Sequence, residues 1–301
     1  MVRTLVHPIA DRKSTSYIGV DVHLEHFSNG WVTPALAYFM SFIGSVLGLR
    51  CAAHARTAKS PAGWLVAAAV ALGGAGIWVM HFTAMLGFAI DGVDIRYDVP
   101  LTLFSAAIAV VVVLIGLAIV VRGHREVIAL PLGGAITGFG VAAMHYLGMA
   151  AMNTGAAMEY DAGLVALSIA IAVVAATAAF WFMVHVRGWA NTVGAAVIMG
   201  LAVCGMHYTG MMAMSAHHGD HQGTPEGLAP VDLLTPLITT VALVVVGLVV
   251  LVGVAELEVR STAAAAASLE ADRPVASTLA STDPATLVSS GREWPRQMVD
   301  N

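Results

Sequence analysis

The sequence predicts an all-α fold, a bundle of seven membrane-spanning helices, and three observations carry that expectation. First, 58% of the 301 residues are hydrophobic and 11% charged, with a mean hydropathy of +0.81. A water-soluble domain carries roughly 25% charged residues. Second, apolar runs of about 20 residues recur, the length that crosses a hydrocarbon layer. Third, polar or turn-forming clusters divide the runs: Lys59-Ser60-Pro61, Asp98-Val99-Pro100, Arg122-Gly123-His124-Arg125 and Thr224-Pro225-Glu226.

In chain order the predicted spans are Pro34–Arg50, Gly63–Ile90, Pro100–Val121, Val127–Met152, Leu164–Val186, Trp189–Met214 and Leu233–Val254. Trp31, Trp64, Trp181 and Trp189 near their ends read as interface anchors. Cations collect in alternate loops, at Arg50, Arg56 and Lys59, at Arg122 and Arg125, and at Arg187, with Arg260 after the last span. The opposite loops are acidic, with Asp91, Asp94 and Asp98, then Glu159 and Asp161, then Asp220, Glu226 and Asp232. Basic loops face the cytoplasm, so the N-terminus is expected outside and the C-terminus inside; Arg12 and Lys13, about 20 residues before the first span, pull the other way.

Three segments follow: an extracytoplasmic stretch over 1–30, the membrane domain over 31–256, and a cytoplasmic tail over 257–301. The tail is rich in Ala, Ser, Thr and Pro and is expected to be disordered, without room for an output domain. The first 20 residues lack the apolar core of a signal peptide. Cys51 and Cys204 alone make no disulfide framework. A net charge of −5 with no basic stripe gives no nucleic-acid surface. The only lysines, Lys13 and Lys59, lie outside the spans, which excludes a retinal Schiff base. No nucleophile–base pair or phosphate loop points to an enzyme.

Within that frame one motif occurs three times: Met80-His81-Phe82-Thr83, Met144-His145-Tyr146-Leu147 and Met206-His207-Tyr208-Thr209. Each copy lies near the outer end of an even-numbered span. The histidines are 64 and 62 residues apart, about two spans with their loops, so the unit is an antiparallel helix pair copied three times after a solitary first helix. Spans two, four and six run in one direction, which places the three histidines at similar depth.

At about 100° per residue, Met85, Met149 and Met211 lie on the same face as each histidine, one turn outward. Seven residues after each histidine stand Met152 and Met214 in the second and third copies, and Phe88 in the first. Seven residues before stand Gly74, Gly138 and Gly200, a smooth half-face where helices approach closely. Nine of the 15 methionines fall in these three blocks. The Met that directly precedes each His is about 100° round the helix, facing a neighbouring helix unless the His sits between two. Thioether and imidazole together suit Cu(I), or Cu(II) where imidazoles dominate, and disfavour Mg and Ca.

Three such motifs at intervals of about 60 residues in a seven-span chain resemble the MHYT domain, an integral membrane sensor module of bacteria, here in a stand-alone form. The resemblance covers roughly residues 29–256. It implies a plasma-membrane protein that binds copper through Met80, His81, Met144, His145, Met206 and His207, and senses a diatomic gas such as oxygen, carbon monoxide or nitric oxide. Phe82 stands where the family has Tyr and Leu147 where it has Thr, so the chemistry common to all three copies rests on Met and His.

Other residues are weighed against blander roles. A single intramembrane His more often bonds to a neighbouring helix than to a metal; three at one depth with Met a turn away favour ligation. Cys204, three before His207, is a further ligand only if its small-residue role is set aside, since its equivalents are Trp78 and Ala142. His23 and His26 precede the first span and are placed to cap the site from outside. His217, His218 and His221 form an outer loop cluster that gathers metal or simply stays solvated. His54, His124 and His185 lie toward the cytoplasm. Three functions remain in view: a copper-binding sensor that signals through a separate partner, a copper transporter or channel, and a haem protein with axial His or Met. Against transport, no carboxylate lies inside a span; against haem, a third histidine is left over.

Overall fold

The computed structural model describes residues 24–154, 156–218 and 225–280. Within them seven helices are long and apolar enough to cross a membrane: α1 (Val32–Thr57), α2 (Pro61–Met85), α3 (Val99–Arg122), α4 (Glu126–Ala150), α5 (Ala162–His185), α6 (Trp189–Met212) and α7 (Pro230–Ala280). His23, His221 and the chain beyond residue 280 lie outside the described residues. By internal packing the chain divides into two units, Met1–Leu248 and Val249–Asn301, and all three motifs lie in the first.

Helices suit this composition because in hydrocarbon every backbone group must bond within the chain. Pro61 and Pro100 stand in the first turns of α2 and α3, where a missing N–H costs nothing. Asp98 and Asp161 cap α3 and α5, accepting from the backbone N–H of Leu101 at 2.7 Å and of Leu164 at 2.8 Å. Asp98→Ala and Asp161→Ala are each expected to lower stability by about 1 kcal/mol, read as an earlier unfolding midpoint in detergent.

Neighbours in sequence are neighbours in space from α1 to α6, and α1 also packs on α6, closing a six-helix ring. The first helix, expected to stand outside the helix-pair repeats, packs as a full member of the ring. Arg56 near the end of α1 donates to the carbonyls of Met183 (3.1 Å) and Val184 (2.8 Å) at the end of α5. The most buried of the seven is α2, with 78% of its most apolar stretch buried against 17% for α5.

The middle of α2, Val70–Val79, is wound as a π-helix, and its run VALGGAGIWV carries three glycines that offer little resistance to the wider turn. This corrects one expectation. Seven residues return to the same face only in an α-helix, so Gly74 drifts off the face of His81: a Cβ there would meet nothing nearer than 3.9 Å. The close approaches fall on Gly44, where a Cβ would strike the backbone of Gly76, and on Gly73, where it would strike the backbone of Ala109. On α4 and α6, which are α-helical throughout, a Cβ at Gly138 would strike the backbone of Val173, and one at Gly200 would come within 3.1 Å of Tyr38.

At the motif end of the bundle the connections form three two-stranded antiparallel sheets. They pair β1 (Leu24–Glu25) with β2 (Ala89–Ile90), β3 (Arg96–Tyr97) with β4 (Met152–Asn153), and β5 (Ala156–Tyr160) with β6 (Met214–His218). A bridge from Tyr97 to Leu228 joins the segment after α6 to the one after α2. Here a second expectation is corrected: Met152 and Met214 stand on strands, because α4 ends at Ala150 and α6 at Met212. Both ends are set by backbone bonds from elsewhere, Asp98 N–H to the Ala151 carbonyl at 2.9 Å and Asp161 N–H to the Ala213 carbonyl at 2.8 Å. At the other extreme, α7 continues beyond residue 256 through Ala263–Ala267 to Ala280, where a structureless tail was expected; alanine is the strongest helix former.

Candidate metal centre

The side chains of His81, His145 and His207, from α2, α4 and α6, converge in the interior, each 1% exposed. Their Nδ1 atoms form a small triangle: 3.0 Å between His81 and His207, 3.1 Å between His145 and His81, and 3.4 Å between His207 and His145. The three rings stand nearly edge-on to one another, at interplanar angles of 80–87°. Among the described residues, these are the His, Cys, Asp or Glu side chains grouped closely enough to share one ion.

Hydrogen bonding among the three does not satisfy them. A neutral Nδ1 either carries a proton or offers a lone pair, and three atoms in a triangle cannot alternate between two roles. At least one pair must set proton against proton or lone pair against lone pair. One cation inside the triangle would satisfy three lone pairs at once. With metal–nitrogen bonds of about 2.0 Å, three nitrogens sit about 3.3 Å apart in a tetrahedral arrangement and about 3.5 Å in a trigonal one, against 3.0–3.4 Å here. The donor set and its spacing therefore fit a transition-metal ion held by three nitrogens, nearer the tetrahedral than the trigonal separation.

Ligation through Nδ1 leaves Nε2 to carry the proton. On His81 and His145 that atom is buried without a hydrogen-bond partner. Its neighbours are glycines: a Cβ on Gly148 would strike His81 Nε2, and one on Gly210 would strike His145 Nε2. Both glycines stand three residues after a motif histidine, and Ala84 holds that place in the first copy. Sequence reading missed them; the small residue at that offset in every copy was the available signal.

The motif methionines share the burial of the triad. Met80, Met144, Met206, Met85, Met149 and Met211 are all buried, at 1–3% exposure, and Met152 and Met214 are buried on their strands. His26, in the turn after β1, is half-buried with its ring 5.6 Å from that of Phe88, and it is not part of the ligand group. Cys204 is a half-buried free thiol, likewise outside that group. His217 pairs with Glu159 at 3.7 Å on the outer sheet. His54 stacks on Trp64, and His185 stacks on Trp181 beside Glu126.

The position after each histidine shows how the first copy makes up for its lost hydroxyl. Tyr146 and Ser168 share a hydrogen bond of 2.7 Å between α4 and α5. Phe82 has no hydroxyl to give, and the fully buried Ser105 of α3 instead accepts from Trp78 Nε1 at 3.0 Å. Tyr97 packs edge-on against Phe82 at 5.8 Å, and burial pushes its phenol above the ordinary range, so it stays neutral.

Fold and site together define a multi-pass helical membrane domain with a buried histidine triad. Residues 74–132 and 138–196 match the family model MHYT, described as a bacterial signalling protein N terminal repeat, so the chain carries MHYT repeats. It is 34% identical over 251 residues to the bifunctional diguanylate cyclase/cyclic di-GMP phosphodiesterase MucR of Pseudomonas aeruginosa, a match covering 80% of this chain and 36% of that protein. It is 37% identical over 147 residues to the cyclic di-GMP phosphodiesterase NbdA of the same organism, covering 47% of this chain and 19% of NbdA. Signaling protein YkoW of Bacillus subtilis is 28% identical over 161 residues, covering 51% of this chain and 20% of YkoW. The chain thus spans about a third or less of these curated relatives. No solved structure matches it.

Proposed function

We propose that the chain is a sensor module of the bacterial cell membrane that holds copper on the Nδ1 atoms of His81, His145 and His207 and responds to a diatomic gas, O2, CO or NO. The observation that carries this reading is the triangle of lone pairs at ligand spacing, buried where water does not serve them. Bound copper would supply an open coordination position at which a small gas changes the electronic state of the site. The residues' own part is to hold three nitrogens in place, exclude water and keep other cations out.

Charge favours Cu(I) over Cu(II) or Zn(II). Imidazole ligates as the neutral ring, and among the described residues no carboxylate joins the three, so the ion's charge would stand uncompensated in an apolar interior. The cost of burying it rises steeply with that charge. The same triangle weighs against haem, since three nitrogens within 3.4 Å of one another leave no room for a macrocycle between two of them. The lack of carboxylates inside the ring weighs against coupled copper transport.

Ser41, Ser105 and Ser168, all fully buried on α1, α3 and α5, lie 64 and 63 residues apart, nearly the interval of the histidines. With the ring order, they support a repeat unit of α1–α2, α3–α4 and α5–α6. We read the motif end as extracytoplasmic and the C-terminus as cytoplasmic from the cation-rich loops. Signalling would pass to a separate partner, and the relatives MucR and NbdA, themselves cyclic di-GMP enzymes, point to that class for it.

Detergent-purified protein loaded with Cu(I) is expected to retain about one copper per chain, silent in electron paramagnetic resonance until oxidised. The variant His81→Ala/His145→Ala/His207→Ala should retain none while eluting as the same monodisperse species. Equal copper in both proteins would end the copper reading.

A further inference from the structure

A cavity of about 50 Å³ lies inside the ring, and its place relative to the triad is specific. Ile77, Val141 and Val203 line it, and each stands four residues before one of the three histidines. Met206, which directly precedes His207, also lines it. Side chains on a helix lean toward its N-terminus, over the turn that precedes them. The imidazoles of α2, α4 and α6 therefore lean toward the level of these three residues. On the other side of the triad stand Met85, Met149 and Met211, one turn onward and buried.

The lining is almost wholly apolar. Of the two hydroxyl-bearing residues in it, Ser45 and Thr137, the Thr137 hydroxyl is engaged with the Val112 carbonyl at 3.2 Å. An apolar cavity of this kind stays dry, because a water molecule needs two or more polar partners. Its size decides what fits: benzene is held by an engineered cavity of about 150 Å³, whereas about 50 Å³ holds on the order of two or three heavy atoms.

We propose that this cavity is the ligand chamber of the centre: a small uncharged apolar molecule of two or three atoms enters it and meets the ion from the N-terminal side of the motif helices. The proposal rests on the copper reading for its second half, since a ligand needs an ion to meet, and on the cavity alone for its first. Hydrated anions such as azide are excluded by the same chamber, because stripping their water is uncompensated there.

Two measurements separate the halves. Xenon titrated into copper-free wild-type protein and followed by 129Xe NMR is expected to show saturable uptake. The uptake should persist in the triple histidine variant and be lost in Val203→Phe and in Ala172→Leu, which fill the cavity from α6 and from α5. Carbon monoxide added to Cu(I)-loaded protein should give one infrared C–O band, and its affinity should fall at least tenfold in whichever filled variant keeps its copper. Azide should produce no spectral change at concentrations where carbon monoxide saturates. No saturable xenon in the wild type, undiminished carbon monoxide affinity in a filled, copper-loaded variant, or azide binding as tight as carbon monoxide would each overturn the chamber. Xenon uptake without any retained copper would overturn ligation in the chamber and the copper reading, yet leave the apolar ligand site standing.

Discussion

Gly148→Ala is expected to cost the protein its metal before it costs the protein its fold. The added methyl lands on Nε2 of His81, and the ring can escape only by swinging its Nδ1 out of the triangle. Loss of an outer support alone lowers metal affinity 10–100-fold. Here one of the three proposed ligands would itself be displaced, so the drop in copper affinity should be at least about 100-fold. Gly210→Ala should act alike through His145. The added strain is about 1–3 kcal/mol, so the variant should still elute as the wild type does. Competition against a chelator measures the affinity, and an unchanged value in both variants would refute the placement of the two rings.

Gly44→Val is expected to be the most destabilising single change in the bundle. A Cβ at Gly44 meets the amide nitrogen and Cα of Gly76 and the carbonyl oxygen of Ala71. All are backbone, with no rotamer to turn aside. The two helices must part, and α1 is the helix that closes the ring. A loss of about 3 kcal/mol or more follows, visible as an earlier thermal or denaturant midpoint in detergent. Gly194→Ala and Gly205→Ala are the controls, since a Cβ there meets nothing within 4 Å. They should be neutral or slightly stabilising, as glycine in a helix interior is about 1 kcal/mol worse than alanine. Equal losses at all three positions would show that close helix approach is not the cause.

The spans were legible because hydrophobicity over about 20 residues is a local property. The common depth of the three histidines was legible too, because equal spacing between helices of one direction needs only counting. The identity of the converging atom was not: whether Nδ1 or Nε2 faces the axis depends on what stands behind each ring, and that is Gly148 or Gly210 on another helix. The winding of Val70–Val79 was equally hidden, since its three glycines permit the wider turn without demanding it, and it moved the close approach from Gly74 to Gly73 and to the Gly44–Gly76 contact. The helix ends before Met152 and Met214 were misplaced for a third reason. Carbonyls of Ala151 and Ala213 are taken by amides of Asp98 and Asp161, more than 50 residues away in sequence. In each case the deciding contact is tertiary, and periodicity on one helix does not report it.

The triangle of histidines also bears on how the chain assembles. His81 and His207 are separated by 126 residues, so their meeting closes a long loop, and it waits until the sixth helix has been made and seated. An ion that needs all three nitrogens discriminates between a finished bundle and every shorter nascent chain. By mass action it stabilises the finished one alone, by about 4 kcal/mol at a thousandfold excess over its dissociation constant. With copper bound as proposed, the centre would act as a completion mark for biogenesis, recording that helices from three distant stretches of the chain have docked in register.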